Sequence, residues 1–163
     1  MIEQTLVLIK PDGIQRGLIG EILKRFEQRG LKIIGMKMLQ AEKSIAEKHY
    51  SESIAKKHGE KVRKELLNYI TSSPVIAIAI QGSNAIAQVR KIVGNTYPGE
   101  AEIGTIRGDF AHQSKKRAKA KTKALPNLIH ASENKEDAKK ELALWFSIDE
   151  IYDYKLSAEE YLF

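Results

Sequence analysis

The sequence predicts an α+β fold in which a small antiparallel sheet is covered by helices. Three observations carry this reading. Short apolar runs at Thr5–Ile9, Val75–Ile80 and Asn127–Ala131 have the length of strands, segments with helical periodicity separate them, and Pro, Gly and Ser mark the joins. With 163 residues, 42% of them hydrophobic, the chain can bury one core, so a single domain spanning residues 1–163 is expected.

Thr5–Ile9 reads as a buried strand that ends in the turn residues Lys10, Pro11, Asp12 and Gly13. A helix follows over Gly20–Arg29, with Ile19, Ile22, Leu23 and Phe26 on its apolar side and Gly30 suited to a left-handed C-terminal turn. Leu31–Gln40, rich in Ile and Met, predicts a second strand. Ser44 and Glu47 are spaced as a capping box for a helix whose Lys-rich end reaches His58 and Gly59. Glu60–Thr71 forms another, with Leu66, Leu67 and Ile70 on one face.

After the break at Ser72, Ser73 and Pro74, the unbroken apolar run Val75–Ile80 predicts a central strand buried on both faces. Ser83 or Asn84 caps a helix ending near Gly94, and Asn95–Pro126 reads as one long loop. Asn127–Ala131 is the last strand. A final helix follows, capped by Asn134, with Ala138, Leu142, Trp145 and Phe146 as its buried stripe. This order is the βαββαβ pattern of a ferredoxin-like α+β domain, with a four-stranded antiparallel sheet and additional helices.

Composition narrows the chemistry. The chain has no cysteine, which excludes disulfides, thiolate metal sites and cysteine nucleophiles and suits a reducing compartment. No apolar run is long enough to span a membrane, so a cytoplasmic protein without a membrane partner is expected. The net charge of +6 matches the six basic residues Lys115, Lys116, Arg117, Lys119, Lys121 and Lys123, which share a stretch with no acid. The basic balance is therefore one local feature.

Of four histidines, His49 lies in a charged helix, His58 at a helix C-terminus and His112 in a polar loop. His130 sits within an apolar strand, where a polar ring is either satisfied by buried hydrogen bonds or functional. Ser132, two residues on, shares its face, and Glu141 on the next helix carries a carboxylate able to fix an imidazole tautomer. Lys10, Arg90 and Arg107 border predicted turns and are candidate phosphate-binding cations. Neither a P-loop nor a Rossmann glycine motif is present, and no histidine or acid cluster has zinc spacing. No protein-held metal is expected, and any metal should arrive with a nucleotide as Mg²⁺.

Three blocks carry a family resemblance. Thr5-Leu6-Val7-Leu8-Ile9-Lys10-Pro11-Asp12-Gly13-Ile14-Gln15-Arg16-Gly17 resembles the opening of nucleoside diphosphate kinases, Gly104-Thr105-Ile106-Arg107-Gly108-Asp109-Phe110 their loop motif, and Asn127-Leu128-Ile129-His130-Ala131-Ser132-Glu133 their active-site signature. The resemblance implies a ping-pong transfer of the γ-phosphate of a nucleoside triphosphate, with ATP as donor, to a nucleoside diphosphate through a phosphohistidine on His130. It implies that Glu141 orients His130 with support from Ser132, and that Lys10, Tyr50, Arg90, Thr96, Arg107 and Asn127 contact phosphates and ribose. It also implies a homo-oligomer, with a hexamer favoured over a tetramer.

The sequence departs from the family at the base end. Val62 aligns where an aromatic usually stacks on the base, although the nearby Leu66 matches; weaker base binding is expected. Ala131 and Glu133 replace the common Gly and Asp. The loop from Arg107 to Asn127 is longer than the common form, as in archaeal-type members, and holds the basic stretch Lys115–Lys123. That stretch reads as a solvated insertion, an electrostatic funnel for nucleotides or a nucleic-acid contact, and its lack of interleaved aromatics counts against the last. The alternative function is a non-catalytic nucleic-acid or nucleotide-binding ferredoxin-like module.

Overall fold

Four strands, β1 (Ile2–Ile9), β2 (Lys32–Leu39), β3 (Val75–Ser83) and β4 (Ile129–Ala131), form one sheet in the order β2-β3-β1-β4. Every neighbouring pair is antiparallel, with Val7 opposite Ile78 across β1 and β3 and Leu8 opposite His130 across β1 and β4. This computed structural model describes residues 1–114, 116 and 124–162. The expected ferredoxin-like βαββαβ arrangement is present. The basic stretch Lys115–Lys123 falls, apart from Lys116, outside the described residues.

The unbroken apolar runs are explained by cover on both faces. Successive residues of a strand point to opposite sides, so Val7 and Ile9 of β1 join Ile76, Ile78 and Ile80 of β3 on one side. There they meet Ile22 and Phe26 of α2 (Ile19–Gln28) and Ala85, Val89 and Val93 of α6 (Ala85–Val93). Leu6, Leu8, Ala77 and Ala79 point the other way. They pack with Ala46 of α3 (Lys43–His49), Ile70 of α5 (Glu60–Ile70) and Trp145 of α8 (Lys135–Trp145). Each fully buried Leu, Ile or Phe contributes about 1.5–3 kcal/mol.

Helix ends follow the sequence unevenly. Gly30 has φ +80° and closes α2 with two bonds, its own N–H to the Glu27 carbonyl and the Leu31 N–H to the Phe26 carbonyl. Asn134 caps α8 by accepting the Asp137 N–H at 2.9 Å. The Ser44 and Glu47 capping box does not form. Glu42 is the N-cap of α3, and Ser44 lies inside the first turn with its hydroxyl toward Glu42. Asn84 occupies the N-cap of α6 but makes no side-chain cap; Glu3 of β1 accepts the Ile86 N–H at 3.4 Å instead.

Three further departures shape the site. The single helix expected to reach His58 is two, α3 and α4 (Glu52–His58), because Arg63 captures the Tyr50 carbonyl at 2.8 Å and Tyr50 turns into the core. The turn after β1 is a short helix, α1 (Pro11–Gln15), begun by a proline whose fixed φ suits its first position. The long loop contains α7 (Ile106–Phe110), capped by Thr105, whose hydroxyl accepts the Gly108 N–H at 3.0 Å. Gly108 is required there, since a Cβ would stand 2.0 Å from the Glu102 carbonyl oxygen.

After α8 the chain runs back along β2. The Tyr152 N–H reaches the Ile34 carbonyl at 2.7 Å, and the ion pairs Lys37–Glu150 at 2.6 Å and Lys32–Glu159 at 2.9 Å tie the segment down as far as α9 (Glu159–Leu162). Among the described residues no helix is long and apolar enough to cross a membrane.

Candidate active site

β1 and β4 bring the C-terminal end of one strand beside a second strand only three residues long, and the polar residues cluster there. His130, the middle residue of β4, faces α8, where Glu141 waits one turn from the helix end. Its Nε2 lies 3.0 and 2.9 Å from the two Glu141 carboxylate oxygens. An acceptor-only carboxylate fixes the proton on Nε2 and leaves Nδ1 with its lone pair. Ser132 is fully buried; its hydroxyl donates to Glu141 at 2.6 Å and accepts the Leu6 N–H at 3.3 Å. Burial alone would raise the Glu141 pKa, but His130, His49 and Ser132 together hold it below the usual carboxylate value.

Lys10 follows β1 directly and is only 6% exposed. Its ammonium donates to the Asn127 side-chain carbonyl at 2.8 Å, while the Asn127 amide donates to the Thr96 carbonyl at 2.9 Å. Burial, reinforced by Arg107 and opposed by Asp12, lowers the Lys10 pKa to about 7. Arg107 of α7 spends its donors on backbone carbonyls, Nε on Asn127 at 3.1 Å and the two terminal nitrogens on Gly94 at 3.0 Å and Ile129 at 2.6 Å. Burial and then neighbouring Arg90 lower its pKa to about 10, so it stays charged at neutral pH.

These groups line a cleft of about 1060 Å³. Arg90, Thr96, Arg107 and Asn127 line it together with Tyr50, Val62 and Leu66. Every candidate site residue from the sequence except buried Ser132 therefore borders one cavity. Val62 is 44% exposed. A concave pocket with converging cations and a hydrogen-bonded histidine suits an anionic ligand carrying transferable phosphate.

The sequence model of the family described as "Nucleoside diphosphate kinase" matches residues 3–151. A nucleoside diphosphate kinase of Pyrococcus abyssi is 52% identical over 153 residues, covering 93% of this chain and 89% of that protein. The solved nucleoside diphosphate kinase of Borrelia burgdorferi, a transition state mimic with bound vanadate and ADP, superposes with a TM-score of 0.96 at 42% identity, over 99% of this chain and 96% of that one. A halophilic nucleoside diphosphate kinase from Halobacterium salinarum in complex with CDP gives 0.84 at 37% identity, covering 99% and 98%.

The chain belongs to the nucleoside diphosphate kinase family. Its activity is that of a nucleoside diphosphate kinase, transfer of a terminal phosphate between nucleotides, and this phosphotransfer requires a divalent cation.

Three residues at or beside this kinase site carry no site role in the sequence reading. His49 reads as an ordinary residue of a charged helix, yet its side chain is 1% exposed and its ring centroid lies 4.5 Å from that of His130, edge to face at 81°. The Trp145 indole N–H donates to its Nδ1 at 3.3 Å, and burial followed by His130 lowers its pKa to about 3, so it is neutral. Its place beside Tyr50 at a helix end was the available signal. Asp12 and Tyr69 come from α1 and α5 and are bonded to each other. No spacing rule links residues so far apart.

Proposed function

We propose that His130 is the nucleophile of the nucleoside diphosphate kinase reaction, attacking through Nδ1. The observation that carries this is the pair of contacts between Nε2 and the Glu141 carboxylate, which commits one ring nitrogen to orientation and leaves the other for chemistry. In the first half reaction Nδ1 bonds to the γ-phosphorus, the bond from phosphorus to the β-phosphate oxygen breaks, and the diphosphate departs. The Nε2 proton stays in its bond to Glu141, whose negative charge offsets the positive charge developing on the ring. The second half runs in reverse, with the β-phosphate oxygen of another diphosphate attacking the phosphohistidine.

Phosphoryl transfer depends on positioning and charge neutralisation. Lys10, Arg90 and Arg107 supply the cations, with Thr96, Asn127 and Tyr50 as partners for phosphate and ribose. Val62 and Leu66 form the base platform. We assign the divalent cation as Mg²⁺ carried on the phosphates of ATP or another nucleotide substrate. In support, His49, His130 and Glu141 are the one described trio with donors grouped like metal ligands, all within 4.8 Å, and Glu141 is already bonded to His130 and Ser132.

Assembly into a homo-oligomer, with the hexamer favoured by family resemblance, is supported by apolar side chains left exposed. Met36 and Met38 protrude from edge strand β2, and Ile103 is 92% exposed. Light scattering on the purified chain checks it. The cysteine-free sequence suits a cytoplasmic location.

The test of the nucleophile is incubation with ATP labelled in its γ-phosphate. The chain takes up an acid-labile, base-stable label, and His130→Ala takes up none. An unlabelled native chain or a labelled variant overturns the assignment.

A further inference from the structure

Leu128 has a backbone φ of +70°, a left-handed value that side chains with a Cβ rarely adopt. The Ile129 N–H bonds to the Asn127 carbonyl across it at 2.8 Å, closing a three-residue γ-turn of the positive-φ kind, which is rare and strained. This turn separates Asn127, whose side chain holds the Lys10 ammonium, from His130 three residues later. The Leu128 side chain is fully buried in the core with Ile9 and Ile22, so a glycine that would relieve the backbone would empty that space. The strain is kept, and something must hold it.

The holding contacts come from outside the strand. The Leu128 N–H donates to Asp12 Oδ2 at 3.0 Å, and the Leu128 carbonyl accepts the Lys10 N–H at 2.8 Å. The other Asp12 oxygen accepts the Tyr69 hydroxyl. Both partners of Asp12 are donors, and an ionised carboxylate is the side chain that can accept from both at once. The Lys10 ammonium lies 5.9 Å from the centroid of the Tyr69 ring, so the same tyrosine that fixes Asp12 also backs the lysine.

We propose that Asp12 and Tyr69 are positioning residues for phosphoryl transfer, with the Asp12 carboxylate, fixed by the Tyr69 hydroxyl, holding the Leu128 turn and through it the places of Asn127, Lys10 and His130. This rests on His130 as nucleophile. Neither residue touches the reacting atoms. Release of the Leu128 N–H lets the turn relax toward an ordinary strand, which moves the Asn127 side-chain amide away from Lys10 and shifts the start of β4.

The two substitutions at Asp12 separate geometry from charge. Asp12→Ala removes both acceptors. Asp12→Asn keeps the acceptor for the Leu128 N–H and turns an amide toward Tyr69, whose hydroxyl can accept as well as donate, so the clamp survives without its charge. Tyr69→Phe leaves Asp12 in place but unanchored.

The experiment is single-turnover phosphorylation of His130 by ATP, with ADP affinity and the Leu128 amide proton shift measured on the same proteins. For Asp12→Ala the rate constant of the folded protein falls on the order of a hundredfold, the scale expected of a small misplacement of reacting groups. The ADP dissociation constant changes far less, and the Leu128 amide proton, deprived of its carboxylate acceptor, moves upfield of its position in the native chain. Asp12→Asn stays within about tenfold of the native rate, since the bond to the Leu128 N–H loses its charge but keeps its geometry. Tyr69→Phe falls between the two. A native rate constant with reduced amplitude in Asp12→Ala, the mark of a merely less stable protein, overturns the proposal, as does an Asp12→Asn variant as slow as the alanine. Failure of the native chain to label defeats the His130 reading instead, and is seen without any Asp12 variant.

Discussion

The carboxylate of Glu141 meets the Nε2 atom of His130 with both oxygens, at 2.9 and 3.0 Å, while Ser132 binds one of those oxygens from the side at 2.6 Å. Replacing Glu141 by Gln keeps the size and removes the charge that offsets a positive imidazole. The phosphorylation rate constant of Glu141→Gln should fall on the order of a hundredfold, as for loss of a preorganised electrostatic contact. Rapid-quench kinetics measures it, and a change below about threefold would argue that the pair is only structural.

The same contact predicts a pH dependence of stability. The folded pKa of Glu141 lies below its ordinary value of 4.5. A depressed carboxylate contributes stability that is fully present above the unfolded pKa and is lost as pH falls through the folded one. The gap in thermal midpoint between the native chain and Glu141→Gln should therefore be constant above pH 4.5 and narrow below it. Melting curves across the acid range check this; a gap that widens toward low pH contradicts it.

Lys10 predicts the opposite limb. Its pKa near 7 means that the free protein holds the ammonium below that pH and loses it above. Nucleotide phosphates bind the charged form, so ADP affinity should weaken as pH rises through 7, by up to about tenfold per unit for one linked proton. At pH 8 binding should take up a proton, visible by calorimetry in two buffers of different ionisation enthalpy. Lys10→Ala should lose the linkage; its persistence there would assign the proton to another group.

At the base end, Val62 offers an exposed aliphatic surface. Val62→Phe should lower the apparent KM for ATP by about two- to tenfold, the range expected for an added aromatic stack worth about 0.5–1.5 kcal/mol. Steady-state kinetics decides, and an unchanged KM means Val62 does not face the base.

Arg107 is tied into the fold as well as lining the cleft. Three of its nitrogens bind carbonyls of Gly94, Asn127 and Ile129, a fork that Lys cannot reproduce. Arg107→Lys should lose about 3 kcal/mol in urea denaturation, given the usual worth of charged hydrogen bonds. A loss under about 0.5 kcal/mol would show that these bonds carry little.

How far the sequence reaches can be judged on these residues. The sheet was legible because β1 and β3 are buried on both faces, and Leu6–Ile9 and Val75–Ile80 read as unbroken apolar runs. The break between α3 and α4 was not legible, since the bond that captures the Tyr50 carbonyl comes from Arg63, beyond both helices. α1 and α7 are too short to show periodicity. In the site, His130, Ser132 and Glu141 could be grouped because strand alternation and one following helix place them together. His49, Asp12 and Tyr69 could not, because each reaches the site only through a neighbour supplied by the folded chain.

With Glu141 occupying Nε2, Nδ1 of His130 is the proposed phosphate acceptor. The position of the phosphate on the ring tests it directly. Phosphorylating the chain with ATP and Mg²⁺, then reading the imidazole nitrogen couplings to ³¹P by NMR, should show the phosphate on Nδ1. Phosphate on Nε2 would mean that the contact with Glu141 breaks before chemistry, and would contradict the account.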